Sequence, residues 1–172
     1  MGGDKETNHI IIDLKSILPI KMVFKDIQQV IDIYKSYWGY RGLYAYSFLK
    51  RVIEQNLSYA YKIGEEIIAF CLVENVPDKR IIGIDLLCVK KEYKGNHLGK
   101  SLLKFCINIC KRLNFKNFGL HVSTTNTPAF ELYSKLGFKI RNSIQNYYND
   151  NNPKDNNINE NKGKESKKDN ED

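Results

Sequence analysis

The 172-residue sequence predicts an α/β domain, with a mixed central sheet flanked by helices. Two β-rich runs on either side of Gly64 predict an antiparallel hairpin. From Ile81 onward, apolar runs of strand length alternate with stretches of helical periodicity, in the order strand, helix, strand, helix, strand. A hairpin followed by such a unit is typical of an α/β domain, and this length allows one such domain plus a tail.

Two amphipathic helices are predicted ahead of the sheet, at 24–34 and at about 47–53, because apolar residues recur there three and four positions apart. The hairpin strands follow at 58–63 and 67–74, where β-favouring residues flank the short turn Gly64-Glu65-Glu66. These elements form the first half of the predicted domain.

The second half begins with a strand rich in branched residues at 81–89 and continues with a long helix from Leu98. A strand is predicted at 118–122. The next helix begins at Thr127-Pro128, since proline suits a first helical turn, and it ends where Gly137 can adopt a left-handed cap. A last strand is predicted from Phe138 toward Tyr148.

The segment 149–172 predicts a disordered tail, because its 8 Asn and single aliphatic residue cannot bury enough surface to become ordered. The predicted domain is therefore 9–148. The tail holds 5 Lys and 7 acidic residues, which leaves 22 basic and 13 acidic residues elsewhere, a formal charge of +9. Such a surplus favours an anionic partner such as a phosphorylated cofactor, ribosomal RNA or a membrane surface, although a plain solvated face also explains it.

No apolar run approaches the ~20 residues that span a bilayer, and the N-terminus lacks the apolar stretch of a signal peptide. We therefore expect no membrane span and a cytoplasmic location. The four cysteines lie in apolar runs without a CxxC pair or a histidine cluster, so they indicate reduced core residues and no metal site.

The loop after the strand at 81–89 opens a helix, and helix starts expose unpaired backbone N–H groups at the positive end of a dipole. This arrangement can bind a pyrophosphate. An ordinary basic loop between a strand and a helix is the alternative interpretation.

Two motifs resemble the GNAT acetyltransferases. Lys94, His97 and Gly99 occupy the three marked positions of the family's acetyl-CoA loop, and the stretch from Asn126 to Phe138 resembles its second signature. The segments 120–126 and 146–148 are similar to catalytic subunits of protein N-terminal acetyltransferases of the NatE and NatF kind. The resemblance implies the GNAT fold, with a mixed sheet splayed at the cofactor site, and acetyl-CoA as co-substrate without a metal.

The resemblance also implies the binding residues. Those expected to bind the cofactor are Leu87, Cys88, Val89, Lys94, Gly95, Asn96, His97, Leu98, Gly99, Lys100 and Asn126. Those expected to bind the acceptor are Tyr37, Trp38, Tyr40, Tyr147 and Tyr148. Aromatic residues in the core or at the rim of the domain are the alternative for the tyrosines.

Three side chains are candidates for the chemistry. Asp85 lies two residues from Gly83, which stands where the resembling enzymes carry a strand tyrosine, and residues two apart share one face of a strand. Asp85 is therefore the first candidate for general base. The resemblance implies that His121 acts as a base through water and that Tyr133 assists the leaving thiolate. The structural alternatives are a salt-bridged Asp85, a buried core His121 and a core Tyr133.

The sequence departs from the family in several places. Lys94 replaces an arginine or glutamine, so the positive charge is kept but the forked donor geometry of a guanidinium is lost. His97 replaces a glycine, so it either takes plain helical dihedrals and crowds the phosphates or donates a hydrogen bond to them. No apolar strand follows Tyr148 to complete the family's closing hairpin.

The function expected is transfer of acetyl from acetyl-CoA to the α-amino group of protein N-termini. The alternatives are a small-molecule acetyltransferase acting on polyamines or similar amines, and a non-catalytic acetyl-CoA-binding subunit. The expected partners are peptide N-termini, with an auxiliary subunit or the ribosome as further candidates and no DNA.

Overall fold

The computed structural model describes residues 13, 16–39 and 45–141. The helices and strands of these ranges belong to one compact unit, Met1–Phe138. A second unit begins at Lys139, and the structure describes it only through Arg141. Residues 138–141 are not part of a strand, and the rest of the predicted last strand lies outside the described residues, as does the predicted tail. The domain boundaries therefore stay predictions.

The described residues form an α/β structure. In chain order the elements are β1 (Ile20–Lys21), α1 (Ile27–Trp38), α2 (Tyr46–Glu54), β2 (Tyr59–Ile63), β3 (Glu66–Val76), β4 (Ile81–Val89), α3 (Leu98–Arg112), β5 (Phe118–Leu120) and α4 (Thr127–Lys135). The five strands form one sheet in the order β1-β2-β3-β4-β5, antiparallel except for the parallel pair β4 and β5. The predicted mixed sheet is confirmed.

Helices cover both faces of this sheet and create two cores. On one face, helices α1 and α2 bury Ile27, Val30, Ile33, Leu49, Val52 and Ile53, together with Met22 after β1, against Ala60, Ile67, Phe70, Leu72 and Cys88. Helix α3 buries Leu98, Leu102, Leu103, Cys106 and Cys110 against Tyr61, Ile68, Cys71, Val73, Ile82 and Ile84 on the other. Each fully buried aliphatic side chain contributes about 1.5–3 kcal/mol, so these two layers hold β3 and β4 in place.

A bulge in β4 places Asp85. Leu72 of β3 pairs with Leu86, but the next β3 residue, Val73, pairs with Ile84, so Asp85 is an extra residue with no position opposite it. Ile84 packs in the core under α3, whereas Leu86 packs against the core under α1 and α2. Because of the extra residue, side chains two positions apart on either side of it face different cores. A β-bulge usually changes side-chain alternation in this way.

The sequence predicted the helices and the hairpin well, and the differences lie at the ends of elements. β5 ends at Leu120 and not at residue 122, and β3 extends past the predicted residue 74 to Val76. β1 has only two residues, too few for any alternation to be visible in the sequence. In the part of the chain that the structure describes, no helix combines the length and the apolar character needed to cross a membrane.

Candidate active site

The parallel strands β4 and β5 separate beyond one pair of residues. Ile84 and Leu120 form the last of the three pairs between them, and β5 ends there. β4 continues to Val89 and stays paired with β3 on its other edge. Among the described residues, no strand pairs with the edge of β4 toward β5 over Leu86–Val89. An open strand edge can pair with an extended ligand. The predicted binding residues Leu87, Cys88 and Val89 lie here.

The loop after β4 carries the second binding feature. After a 3₁₀ turn at Lys91–Tyr93, Gly95 has a φ of +84° and α3 starts at Leu98. The first backbone bond of α3 runs from the Ser101 N–H to the His97 carbonyl, at 3.0 Å. The N–H groups before Ser101 therefore precede the helical bonding pattern, as expected for an anion-binding helix start.

His97 is the N-cap residue of α3 and lies in the left-handed region, with φ 58° and ψ 12°. Only glycine adopts this conformation freely, but histidine is among the residues found there more often than most. The alternative in which His97 takes plain helical dihedrals is therefore wrong. Its side chain is exposed, and a hydrogen bond from it to phosphate stays a prediction.

Gly99 brings the start of α3 against the end of β4. A Cβ atom at Gly99 would lie 3.4 Å from Cγ2 of Val89 and 3.8 Å from Cδ2 of Leu87. The open strand edge and the helix start therefore lie side by side. A ligand with an extended arm and a pyrophosphate fits this arrangement, since the arm can pair with β4 while the phosphates meet the helix start. The residues present thus fit acetyl-CoA.

Tyr37 lies at the cofactor side of this site. Its hydroxyl donates a hydrogen bond of 2.6 Å to the carbonyl oxygen of Val89, and Nζ of Lys94 lies 4.6 Å from its ring centroid. The adjacent Trp38 is exposed, with its ring centroid 5.2 Å from that of Tyr37. Tyr40, Tyr147 and Tyr148, also predicted to bind the acceptor, lie outside the described residues. The acceptor pocket as a whole stays a prediction.

Asp85 is partly buried, and its side chain lies over Gly83. A Cβ atom at Gly83 would lie 3.5 Å from Oδ1 of Asp85, so the two residues share a face as expected. Burial raises the pKa of Asp85 to about 6, the nearby Glu74 carboxylate adds to this increase, and Arg51 opposes it. A carboxylate with a pKa near neutrality suits a general base, because such a group is largely ionised at pH 7 and still binds a proton readily.

Glu74 and Arg51 are site residues that the sequence analysis missed. Glu74 of β3 is buried and pairs across the strands with Gly83, and its carboxylate forms an ion pair with the Arg51 guanidinium of α2. A glutamate at the end of the apolar run in β3 was the available signal, since glutamate is rarely buried without a charged partner. Together with Asp85, these side chains form a charged cluster at the bulge of β4.

The other predicted side chains directly follow β5 or belong to α4 and its N-cap. His121 is exposed and directly follows β5. Tyr133 of α4 is partly buried against the core under α3, with its ring 5.9 Å from that of Phe138. The side chain of Asn126 accepts a hydrogen bond of 3.4 Å from the Ala129 N–H and thereby caps α4. The chemical roles assigned to these residues stay predictions.

Cys88 lies on the open strand but is a poor nucleophile. Its side chain is buried, and burial raises the pKa of its thiol to about 12, even though Lys94 opposes the shift. The reactive form of cysteine is the thiolate, so at neutral pH Cys88 is almost entirely unreactive. Among the described residues there is also no group of three His, Cys, Asp or Glu side chains that could hold a metal ion.

Comparisons with known proteins agree with this geometry. The Acetyltransferase (GNAT) family model matches residues 27–138. A Bacillus subtilis protein named as a ribosomal protein bS18-alanine N-acetyltransferase is 35% identical over 65 residues, which are 38% of this chain and 43% of that protein. N-alpha-acetyltransferase 50 of Danio rerio is 32% identical over 79 residues, 45% of this chain and 47% of the relative. This chain thus spans less than half the length of these two relatives.

One longer match and two solved structures extend the comparison. Spermidine N(1)-acetyltransferase of Thermoplasma acidophilum is 24% identical over 142 residues, covering 72% of this chain and 88% of that protein. Arabidopsis thaliana Naa50, solved with the bisubstrate analogue CoA-Ac-MVNAL, has a TM-score of 0.65 at 24% identity and covers 77% of this chain and 89% of its own. The Thermoplasma acidophilum PaiA N-acetyltransferase, solved with coenzyme A, has a TM-score of 0.65 at 21% identity, with coverages of 76% and 94%.

At these identities, the structural likenesses show a shared fold. The family itself follows from the model that matches well over half of the sequence, from α1 through β2–β5 to α4. The chain belongs to the GNAT acetyltransferase family.

Proposed function

We propose that this protein transfers an acetyl group from acetyl-CoA to the α-amino group of a protein or peptide N-terminus. The observation that carries the proposal is the separation of β4 from β5 beyond Ile84 and Leu120, next to the start of α3. An open strand edge beside a helix start provides separate places for the pantetheine arm and the pyrophosphate. The thioester would then lie near the bulge that carries Asp85.

The charged cluster at the bulge supports an amine acceptor. The attacking amine must be neutral, and an α-amino group with a pKa near ~8 loses its proton at pH 7 at a cost of only about 1 kcal/mol. A lysine side chain near ~10.4 would cost roughly 4–5 kcal/mol. A carboxylate with a pKa of about 6, as in Asp85, is a sufficient base for an α-amine, either directly or through water.

The proposed reaction uses the side chains around the opening. The amine nitrogen attacks the thioester carbonyl carbon, and the proton of the amine passes to Asp85, with His121 sharing this role through water. A backbone N–H at Cys88 or Val89 donates to the developing oxyanion. As the C–S bond breaks, the hydroxyl of Tyr133 donates a proton or a hydrogen bond to the departing sulfur. The protonated thiol of Cys88 favours direct transfer over an acetyl-cysteine intermediate.

The names of two relatives support an N-terminal acceptor. The Bacillus subtilis relative is named for the alanine of a ribosomal protein, and the Danio rerio relative is named as an N-alpha-acetyltransferase. We infer peptide N-termini as the acceptor class, with an auxiliary subunit or the ribosome as proposed partners. The four cysteines are free, buried thiols, which suits our proposal of a cytoplasmic location, because that compartment keeps thiols reduced.

A polyamine acceptor is the second candidate, and one feature of the site favours it. Two carboxylates, Asp85 and Glu74, lie near the predicted reaction centre, and Glu74 forms an ion pair with Arg51. Such an arrangement can attract a polycation. Spermidine N(1)-acetyltransferase of Thermoplasma acidophilum is also the relative matched over the larger share of both chains.

The release of CoA thiol distinguishes these functions. The full chain is incubated with acetyl-CoA and either a peptide with a free Met N-terminus, the same peptide with a blocked N-terminus, or spermidine. The proposal requires release with the free peptide that exceeds release with the blocked peptide and with spermidine. Release with spermidine alone would establish the second candidate, and binding of acetyl-CoA without release for any amine would indicate a non-catalytic subunit.

A further inference from the structure

We infer that Tyr37 is a positioning residue for the pyrophosphate of CoA, because it holds Lys94 and the end of β4 in the arrangement that the cofactor needs. This inference rests on the proposed function, since it assigns a role within the same cofactor site. It also changes the role expected from the sequence, in which Tyr37 was a residue of the acceptor pocket.

The first contact joins α1 to β4. Tyr37 lies in the last turn of α1, and its ring packs against the core beneath α1 and α2. Its hydroxyl donates a hydrogen bond of 2.6 Å to the carbonyl oxygen of Val89, the last residue of β4. Burial raises the pKa of Tyr37 to about 12, so the hydroxyl keeps its proton and remains a donor throughout the physiological range. The end of the cofactor strand is thus fixed by a side chain from another element.

The second contact joins α1 to the cofactor loop. Nζ of Lys94 lies 4.6 Å from the Tyr37 ring centroid, and Nζ of Lys91 lies 5.3 Å from the same centroid. Both distances are within the range of cation–π attraction. Lysine has a long flexible stem, and ordering it has an entropic cost that a ligand would otherwise have to overcome. The ring therefore restricts two ammonium groups near the helix start before any ligand arrives.

The charges near Tyr37 agree with an anionic ligand. Lys91 and Lys94 lie over one ring although they repel each other, and Glu92 is the acidic group whose charge acts on the tyrosine. These two lysines and Glu92 leave one positive charge on this part of the loop. The helix start that follows adds the positive end of a dipole. A pyrophosphate is attracted both by the positive charge of the loop and by the helix dipole, whereas a peptide N-terminus is a cation and is repelled here.

The test is a double-mutant cycle on CoA affinity, measured by calorimetry on the full chain. Tyr37→Leu removes the ring and the hydroxyl, and Lys94→Met removes the ammonium. Because the ring acts through Lys94 whereas the hydroxyl acts on Val89, Tyr37→Leu should weaken CoA binding by about 3- to 10-fold in the wild-type background and by a smaller factor beside Lys94→Met. Tyr37→Phe keeps the ring and should therefore retain the coupling to Lys94.

Two controls separate positioning from a general packing effect. Pantetheine lacks the pyrophosphate, so Tyr37→Leu should weaken its binding less than it weakens CoA binding, because only the hydrogen bond to Val89 is lost for this ligand. Pantetheine binding can be followed by the fluorescence of Trp38, the single tryptophan of the chain. Phe48 of α2 packs against the same core and has the Arg51 guanidinium 5.2 Å from its ring centroid, so it tests the loss of an aromatic ring from that core. Phe48→Leu should therefore leave CoA affinity unchanged.

The inference is overturned if Tyr37→Leu lowers CoA affinity by the same factor with and without Lys94. It is also overturned if Tyr37→Leu lowers the affinities for CoA and pantetheine equally, or if Phe48→Leu lowers CoA affinity as much as Tyr37→Leu does. If the cycle behaves as expected but no peptide is acetylated, the acceptor assignment fails and the role of Tyr37 stands. If the wild type acetylates peptides and the cycle is additive, only the role of Tyr37 fails. A wild-type chain that does not bind CoA would contradict both.

Discussion

Ile84 and Leu120 form the last pair between β4 and β5, and the next residues are Asp85, which lies on β4, and His121, which directly follows β5. The bulge in β4 falls at the same position, since Asp85 is its extra residue. The two candidate bases therefore lie at the point where β4 and β5 separate and the open edge of β4 begins.

Gly99 tests the assignment of the cofactor site. Gly99→Glu places a negative charge in the first turn of α3, where the dipole favours it for folding but where it repels a pyrophosphate. We expect CoA affinity to fall about tenfold or more, with the melting temperature kept. Gly99→Ala is the matched control, because its Cβ would be in ordinary contact with Val89 at 3.4 Å. Calorimetry that finds wild-type affinity in the glutamate variant would place the pyrophosphate elsewhere.

The pKa of Asp85 predicts the pH dependence of catalysis. Since this pKa is about 6, kcat should decrease as the pH falls through about 6, because the base becomes protonated. Glu74→Gln removes a carboxylate that raises this pKa and should move the decrease to lower pH. Arg51→Met removes a group that lowers it and should move the decrease to higher pH. Profiles of kcat against pH for the three proteins check these directions.

The same pKa predicts stability with a defined sign. A folded-state pKa of about 6, above the usual 3.8, means that the ionised carboxylate destabilises the fold, fully above pH 6 and not at all below about 3.8. Above pH 6, the melting temperature of Asp85→Asn should therefore be no lower than that of the wild type. As the pH falls from 6 to 4, the melting temperature of the wild type should rise relative to that of the variant. A lower melting temperature for Asp85→Asn at pH 7 would instead indicate that the carboxylate has a structural role.

Asp85 and His121 should act together. Each single change, Asp85→Asn or His121→Ala, should lower kcat within the 10²- to 10⁴-fold typical of a lost general base, toward the smaller end because an α-amine loses its proton easily. If the two residues share one proton path, the double variant should be little worse than the poorer single variant. The check is kcat at pH 7. If the fold decrease in the double variant equals the product of the two single decreases, the two residues act independently.

Cys88 should be dispensable for the chemistry. Its thiol has a pKa of about 12 and is almost fully protonated at neutral pH, so an acetyl-cysteine intermediate is not expected. Cys88→Ala should keep kcat within about threefold of the wild type, although a small loss of stability follows from the buried atoms removed. Intact-protein mass spectrometry after mixing with acetyl-CoA, without an acceptor, should show no added acetyl group on either protein. A stable acetylated wild type that is absent in the variant would contradict direct transfer.

The periodicity of the sequence was enough to predict the helices, the hairpin and the mixed sheet, because apolar spacing determines which face of each element is buried. It could not reveal the bulge at Asp85, since one extra residue in β4 is visible only against the register of β3. The ion pair of Arg51 and Glu74 joins residues that are 23 positions apart, and the hydrogen bond from Tyr37 to Val89 spans 52. Contacts of that range depend on tertiary packing, which single-sequence patterns do not contain.

The position of the acetyl group in the product tests the central claim most directly. A peptide with a free Met N-terminus and one internal lysine is incubated with acetyl-CoA and the full chain at pH 7, and the product is sequenced by tandem mass spectrometry. Because an α-amine is far easier to deprotonate than a lysine side chain, we predict acetylation at the N-terminus and an unmodified lysine. Acetyl on the lysine, or no acetylated peptide under conditions in which spermidine is acetylated, would contradict the proposed function.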